Sequence, residues 1–240
     1  MIFQNRFDAA EKLAEKLQWI KDEDKEEKGE GRREEKSSIL ILAIPRGGVV
    51  IGDIISRILN TKLDVVVSRK IGAPYNPELA IGAVMPDGSF FPNENIIKML
   101  KISDSYINEE IAAQMKEIDR RLISFRGSKD YGNHLQYKTV VLVDDGIATG
   151  ATILAATQWL KKKGNNKKLI IAVPVAPKDI ADNLNKVADK VVILYSPSSF
   201  ESVGQFYQDF SQVSDNQVKK IMHRHGYKVS LNFSFITIIL

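Results

Sequence analysis

Val140-Val141-Leu142-Val143-Asp144-Asp145-Gly146-Ile147-Ala148-Thr149-Gly150-Ala151-Thr152 runs from four apolar residues through two acids into small and hydroxyl-bearing residues. Four consecutive apolar side chains read as a strand buried on both faces, the pattern of a parallel strand covered by helices. Helical spacing begins after the bend and runs to Lys163, with Gly164 placed to end it. Two adjacent carboxylates at a strand end repel each other and call for hydroxyl donors or a cation. The small residues behind them let backbone amides approach a ligand, and a helix N-terminus favours a phosphate there. Carboxylates for sugar hydroxyls beside amides for a phosphate predict a site for a phosphorylated ribose. A strand-to-helix turn with capping hydroxyls and no ligand would account for either half alone.

Outward from this stretch the same alternation repeats. Ile39 to Ile44 is a continuous apolar run ending at Pro45, followed by Arg46, Gly47 and Gly48 and a helical pattern from Val49 to Leu59 that stops at Asn60. Asp64 to Ser68 reads as a second strand, immediately followed by Arg69 and Lys70. Leu169–Val175 and Val191–Tyr195 read as further strands, with a helix over Lys178–Val187 between them. Ala9, Ala10, Leu13, Leu17 and Ile20 recur at helical spacing after a capping residue, Asn5. Ser214 with Gln217 three residues on marks the start of the last helix as a capping box.

Strands alternating with helices predict an α/β fold with an open, mostly parallel sheet and helices on both faces. In such sheets ligands bind outside the carboxyl ends of the strands. Pro45–Gly48, Ser68–Lys70 and Asp144–Thr152 all fall there. Two glycines after Arg46 permit positive φ or close ligand contact, and an Arg fork suits phosphate oxygens. A tight turn with surface cations is the alternative for both basic stretches. The region 71–137 is less regular, with Gly72, Pro74, Asn76 and Pro77 punctuating it, short strands near Ala80–Val84 and Ser89–Phe91, and a helix over about Asp104–Phe125.

The chain has 240 residues, 44% of them hydrophobic and 27% charged, the proportions of a globular protein. Cysteine is absent, which excludes disulfides, thiolate metal sites and cysteine nucleophiles. No basic start leads into an apolar run and no apolar stretch approaches the length of a spanning helix, so we expect no secretory signal, no membrane partner and a cytoplasmic location. A net charge of +4 raises the question of nucleic acid. The densest charged block, Lys21 to Lys36, nevertheless sets eight acids against six bases, a solvated loop or helix extension, and we expect no nucleic-acid partner. No Gly-Lys dipeptide and no Gly-x-Gly-x-x-Gly occurs, which removes the other common phosphate loops.

The 140–152 stretch resembles the signature of the type I phosphoribosyltransferases: four apolar residues, two acids, then a Thr-Gly-x-Thr phosphate loop. The resemblance covers roughly residues 1–222 apart from the charged block and looks like a little-characterised branch. It implies that fold, with a small hood and flap region, and Mg²⁺-dependent transfer of 5-phosphoribosyl from 5-phosphoribosyl-1-pyrophosphate to a nitrogenous, nucleobase-like acceptor. In the family Asp144 and Asp145 would hold the 2- and 3-hydroxyls. The loop through Gly146, Ala148, Thr149, Gly150, Ala151 and Thr152 would wrap the 5-phosphate. Ala148 stands where Thr is common. Arg46, Gly47 and Gly48 would meet the pyrophosphate, with Arg69 and Lys70 directed at it as well. Arg69, Lys70 and Asp145 are thus the catalytic candidates.

The same resemblance reads 72–83 as a flap closing over the reaction centre, with Glu78 either an acid/base or Mg²⁺-linked group or a structural one. The flap region spans about 71–92. The Phe200–Phe210 aromatic cluster either stacks on the acceptor or packs in the core. Arg120, Arg121 and Arg126 either reach the pyrophosphate or face solvent, of which we favour the second, and His223 and His225 are read as surface residues. We expect one domain over 1–226 with the charged insert at 21–36. The apolar extension, 227–240, alternates like a half-buried strand and would dock on the body or join two subunits. The sequence leaves the oligomeric state open, with a homodimer, the commonest assembly, as one candidate. The competing class is a non-catalytic module that senses the donor or a nucleotide.

Overall fold

A computed structural model describes residues 2–28, 37–137, 139–163 and 166–231. Gly29 and Gly31 of the charged block, Gly164 and the end of the chain from 232 onward therefore lie outside the described residues.

The apolar runs form the middle of one sheet. β1 (Ile39–Ala43) is buried at all five positions, and β6 (Thr139–Val143) at all but its first. With β2 (Lys62–Val65), β7 (Lys168–Val175) and β8 (Lys190–Tyr195) they make five parallel strands in the order β2-β1-β6-β7-β8. Side chains apolar on both faces need helices on both faces. α3 (Gly47–Leu59), crossing from β1 to β2, packs with α1 (Arg6–Lys16) on one face. α6 (Ala151–Lys163) crosses from β6 to β7 in the opposite lateral direction. Right-handed crossovers therefore carry it to the other face.

The chain order thus reverses between β1 and β6; at such a switch point the following helices leave to opposite faces, and open α/β sheets bind ligands in the crevice beyond the strand ends. The open parallel α/β fold read from the sequence is the fold observed.

Local chemistry accounts for the helix ends. The Asn5 side chain accepts from the amides of Phe7 and Asp8, and the apolar stripe of α1 through Leu13 is buried. Asn60 ends α3 in the left-handed region at φ 54°. At α8 (Asp215–Arg224), Ser214 and Gln217 form the capping box. Part of the charged block is helical, as α2 (Trp19–Lys28).

A second sheet stands beside the first. β3 (Arg69–Ala73), β4 (Asn76–Val84) and β5 (Phe90–Pro92) are antiparallel, with Pro74 and Tyr75 at the β3–β4 turn. Two short helices, α4 (Glu94–Leu100) and α7 (Lys178–Leu184), follow β5 and β7. α6 packs on β3 and β4, and so does the long α5 (Asp104–Arg126).

Three expectations are corrected. The second strand ends at Val65, so Arg69 and Lys70 do not close it but open the hairpin sheet. Arg126 does not face solvent: its side chain, 2% exposed, makes two hydrogen bonds of 2.7 and 3.0 Å to the Asp64 carboxylate and lies over the Tyr131 ring. A buried guanidinium needs its charge matched and its N–H groups satisfied, and Asp64 with the carbonyls of Ser128 and Asp130 does both. His225 is not a surface residue. It follows the last turn of α8, where the chain bends back, and its Nε2 lies 2.8 Å from buried Asp53 on α3, which also takes Arg224.

Candidate active site

Two helices begin at the crevice. α3 starts directly after Arg46 and α6 directly after Gly150, and neither has an acid in its first turn. The first-turn amides and positive dipole end of each suit an anion. Asp144 and Asp145 leave the end of β6 between them.

The approach of the β1 loop to this acidic pair is close enough to demand glycine. A Cβ on Gly47 would overlap the Asp145 carboxylate, and one on Gly48 would sit 2.9 Å from the Val143 carbonyl oxygen. The two loops that sequence analysis singled out separately are therefore in contact. The Pro45–Arg46 peptide is cis.

The acidic pair is strongly organised. The amide of Asp145 donates to Asp144 Oδ1 at 2.8 Å. Burial pushes the Asp144 carboxyl well above the usual carboxylate range, and the charge of Asp145 adds to that rise. Arg6 Nε donates to Asp145 Oδ2 at 2.7 Å, and the Tyr207 hydroxyl donates to the Asp145 carbonyl at 2.6 Å.

Neither Arg6 nor Tyr207 was singled out from the sequence. For Arg6 a signal existed: it lies three and four residues before Ala9 and Ala10, on the buried stripe of α1, where a cation is out of place. For Tyr207 the signal was only membership of an aromatic cluster. That cluster divides. Phe206 and Tyr207 are buried, Phe210 stacks on Tyr207, and Phe200, half-buried, faces a cavity.

The phosphate-loop candidates curve between two openings. Thr149 and Ala151 border a cavity of about 350 Å³ toward Phe91 and Asn93, whereas Ala148 and Thr149 border one of about 720 Å³ toward Pro177, Lys178, Asp179 and Phe200. Ala148 and Thr149 are exposed and Gly150 is buried at φ 76°.

The basic candidates are all engaged within the chain. Arg46 reaches Asp215 at 3.4 Å, Arg69 donates to Gln114 at 2.9 Å, and Lys70 reaches Glu78 across the hairpin at 2.8 Å. Glu78 is itself exposed, and the hydrogen bond from Lys70 holds its carboxyl below the usual range. Arg120 of α5 approaches the same Asp215 at 3.7 Å. The hydrogen bond from Arg120 brings Glu117 down to about 2, against a smaller opposing effect of burial, and Arg121 adds to the lowering. Burial, and after it Arg121, push Arg69 down. Arg46, Arg69, Arg120 and Arg121 thus form one basic cluster with Glu117 and Asp215 as counter-ions, drawn from four separate parts of the chain. Arg120 remains exposed, as expected, while Arg121 is only partly so.

Comparison with known proteins follows the same lines. A family model for the phosphoribosyl transferase domain matches residues 8–211. Two Mycobacterium tuberculosis proteins, from strains CDC 1551 / Oshkosh and ATCC 25618 / H37Rv, each carry the name "Putative phosphoribosyl transferase". Each is 35% identical over 223 residues, 93% of this chain and 47% of its own length. The chain thus spans about half the length of these curated relatives. The crystal structure of TT1426 from Thermus thermophilus is 33% identical, covering 93% of this chain and 99% of that one, with a TM-score of 0.70. Among the described residues, no helix is long and apolar enough to cross a membrane.

Proposed function

This chain belongs to the phosphoribosyl transferase domain family, and from that premise we propose that it transfers a 5-phosphoribosyl group from 5-phosphoribosyl-1-pyrophosphate to a nitrogenous base. The observation that carries the reading is the contact of the Asp144–Asp145 pair with Gly47 and Gly48 where the strand order reverses, with a helix N-terminus on each side. That arrangement offers carboxylates to two ribose hydroxyls and amides to a phosphate at either end of one donor.

In the proposed reaction the bond from C1 to the pyrophosphate oxygen breaks and a bond from C1 to an acceptor nitrogen forms. Pyrophosphate leaves, and the proton of the acceptor nitrogen passes to solvent. The protein's part is positioning and electrostatic stabilisation. Asp144 and Asp145 take the hydroxyls, and Gly146 to Thr152 the 5-phosphate. The α3 amides, Arg46, Arg69 and Lys70 take the charge that develops on pyrophosphate. To do so, Arg46 and Lys70 exchange Asp215 and Glu78 for phosphate oxygens. The β3–β4 hairpin supplies the cover that keeps water from the reacting carbon. The larger cavity beside Ala148 and Thr149, with the Phe200 ring on its wall, is the place for the acceptor.

Magnesium prefers oxygen ligands and commonly binds through substrate phosphates with few protein groups. The crevice offers two carboxylates, Asp144 and Asp145, an oxygen-only set that fits a cation arriving with the donor. It would neutralise pyrophosphate charge there.

The test is pyrophosphate release from the donor with Mg²⁺ and a panel of purines and pyrimidines. Turnover with one base establishes the reading and names the acceptor. Tight donor binding without turnover on any base turns the assignment toward a donor- or nucleotide-sensing module. No donor binding at all overturns it.

A further inference from the structure

We infer that Arg6 is a positioning residue of the donor site, clamping one oxygen of Asp145 so that the carboxylate's remaining lone pairs are presented to a ribose hydroxyl. The inference rests on the donor reading above and adds to it a residue from near the start of the chain.

Arg6 is held on every side. Its Nε donates to Asp145 Oδ2 at 2.7 Å, one terminal nitrogen donates to the Ser211 carbonyl at 2.8 Å, and its plane lies 4.0 Å from the Phe210 ring centre. The Phe210 ring is itself stacked on Tyr207, whose hydroxyl holds the Asp145 carbonyl. The chain just before Arg6 is stitched to the same segment: the Phe3 amide donates to Phe206, and the amides of Gln208 and Asp209 donate to Phe3 and Gln4. Side chain and main chain of Asp145 are thus gripped by one wall, built from residues 3–6 and 206–211.

Stability alone is a poor reason for this arrangement. The Arg6 and Asp145 side chains are only 10% and 14% exposed. Removing such a pair from water costs about as much as the attraction returns, and an apolar pair of similar volume often packs as well. What the guanidinium adds is direction. A carboxylate rotates easily about its last bond, and a planar donor with a stacked face allows it one orientation. Oδ2 is then committed to Arg6 and packed close against Gly47, leaving the rest of the group for a ligand in the crevice.

The test compares binding of 5-phosphoribosyl-1-pyrophosphate and of inorganic pyrophosphate, each with Mg²⁺, by calorimetry. Wild type, Arg6→Gln, Arg6→Lys and Phe210→Leu are measured. Arg6→Gln is expected to weaken donor binding by about tenfold or more, the range for a lost charge-assisted hydrogen bond. Stoichiometry and pyrophosphate affinity should hold, because pyrophosphate does not touch Asp145. Arg6→Lys, which keeps the charge, should recover part of the loss, and Phe210→Leu should show a smaller loss in the same direction. A merely structural Arg6 would lower the binding-competent fraction for both ligands and leave the donor Kd unchanged. If Arg6→Gln does not fold, the other two variants carry the test. Wild-type donor affinity in every folded variant overturns the role of Arg6 while leaving the donor reading intact. A wild-type protein that binds no donor overturns both.

Discussion

Asp144 and Asp145 are adjacent in the chain, yet they are held differently: the amide of Asp145 donates to Asp144 Oδ1, while the carboxylate of Asp145 turns to Arg6. One acid is therefore paired with a cation, and the other is desolvated beside a neighbouring carboxylate. Their responses to substitution should differ accordingly.

Asp144 carries a cost that the fold bears for the sake of the site. Its carboxyl is raised above the ordinary value, so ionising it is harder in the folded chain than in the unfolded one. Stability on this account is lost as pH rises from the unfolded pKa through the folded one. Asp144→Asn should thus melt higher than wild type at pH 7, by about 2–4 °C for each kcal/mol relieved in a chain of this size. The gain should fade below about pH 4, where Asp is protonated in both states. Scanning calorimetry at the two pH values measures it, and the same variant should lose donor binding. Equal melting at both pH values would contradict the assignment of strain to this carboxyl.

Gly47→Ala separates site geometry from helix stability. At the start of a helix Ala is normally worth up to about 1 kcal/mol over Gly. Here the added methyl overlaps the Asp145 carboxylate, so the variant should lose donor affinity and should not gain the usual stability. Titration with the donor, alongside thermal melting, reads both. Unimpaired binding would mean that the two loops are not in contact in the working protein.

Asp64 and Arg126 fasten the C-terminal end of α5 to β2 from inside the protein. Removing one member leaves the other charge buried. Arg126→Met should therefore cost about 3–5 kcal/mol in chemical denaturation. Donor affinity, measured below the denaturation midpoint, should be little changed, because the pair lies outside the crevice. A loss under about 1 kcal/mol, the range of an exposed pair, would mean that the two groups are hydrated.

Asp215 occupies Arg46, one of the cations that pyrophosphate would use, and Asp215→Asn frees it, while Arg120 stays on Glu117. Pyrophosphate affinity should then rise a few-fold, the scale of a partly exposed ion pair, with steeper dependence on salt. Isothermal titration at two ionic strengths checks this. A fall in affinity would mean that Asp215 orients Arg46 rather than competing for it.

What could be read from the chain alone was whatever local physics dictates. The apolar runs at Ile39–Ala43 and Val140–Val143 had to be buried on both faces, which requires helices on both sides and hence the parallel sheet. The acids, small residues and hydroxyls of 144–152 declared a ligand because no packing rule calls for them together. Asn5, Asn60 and the Ser214–Gln217 box act within one helical turn, and each stands where the sequence places it. Arg69 and Lys70 were misplaced because a strand's end depends on its neighbours: β2 stops when β1 does, and the next residues pair with β4 instead.

The rest depends on distance in space that sequence separation hides. Arg6 meets Asp145 across 139 positions and Arg126 meets Asp64 across 62. Arg46 and Arg120 converge on Asp215 only because α5 and α8 pack together. A charged residue read in isolation is assigned to solvent, since that is where its hydration is cheapest. Only the tertiary structure supplies the partner that makes burial tolerable, and so only it could show that a cation near the start of the chain steadies the acid at its centre.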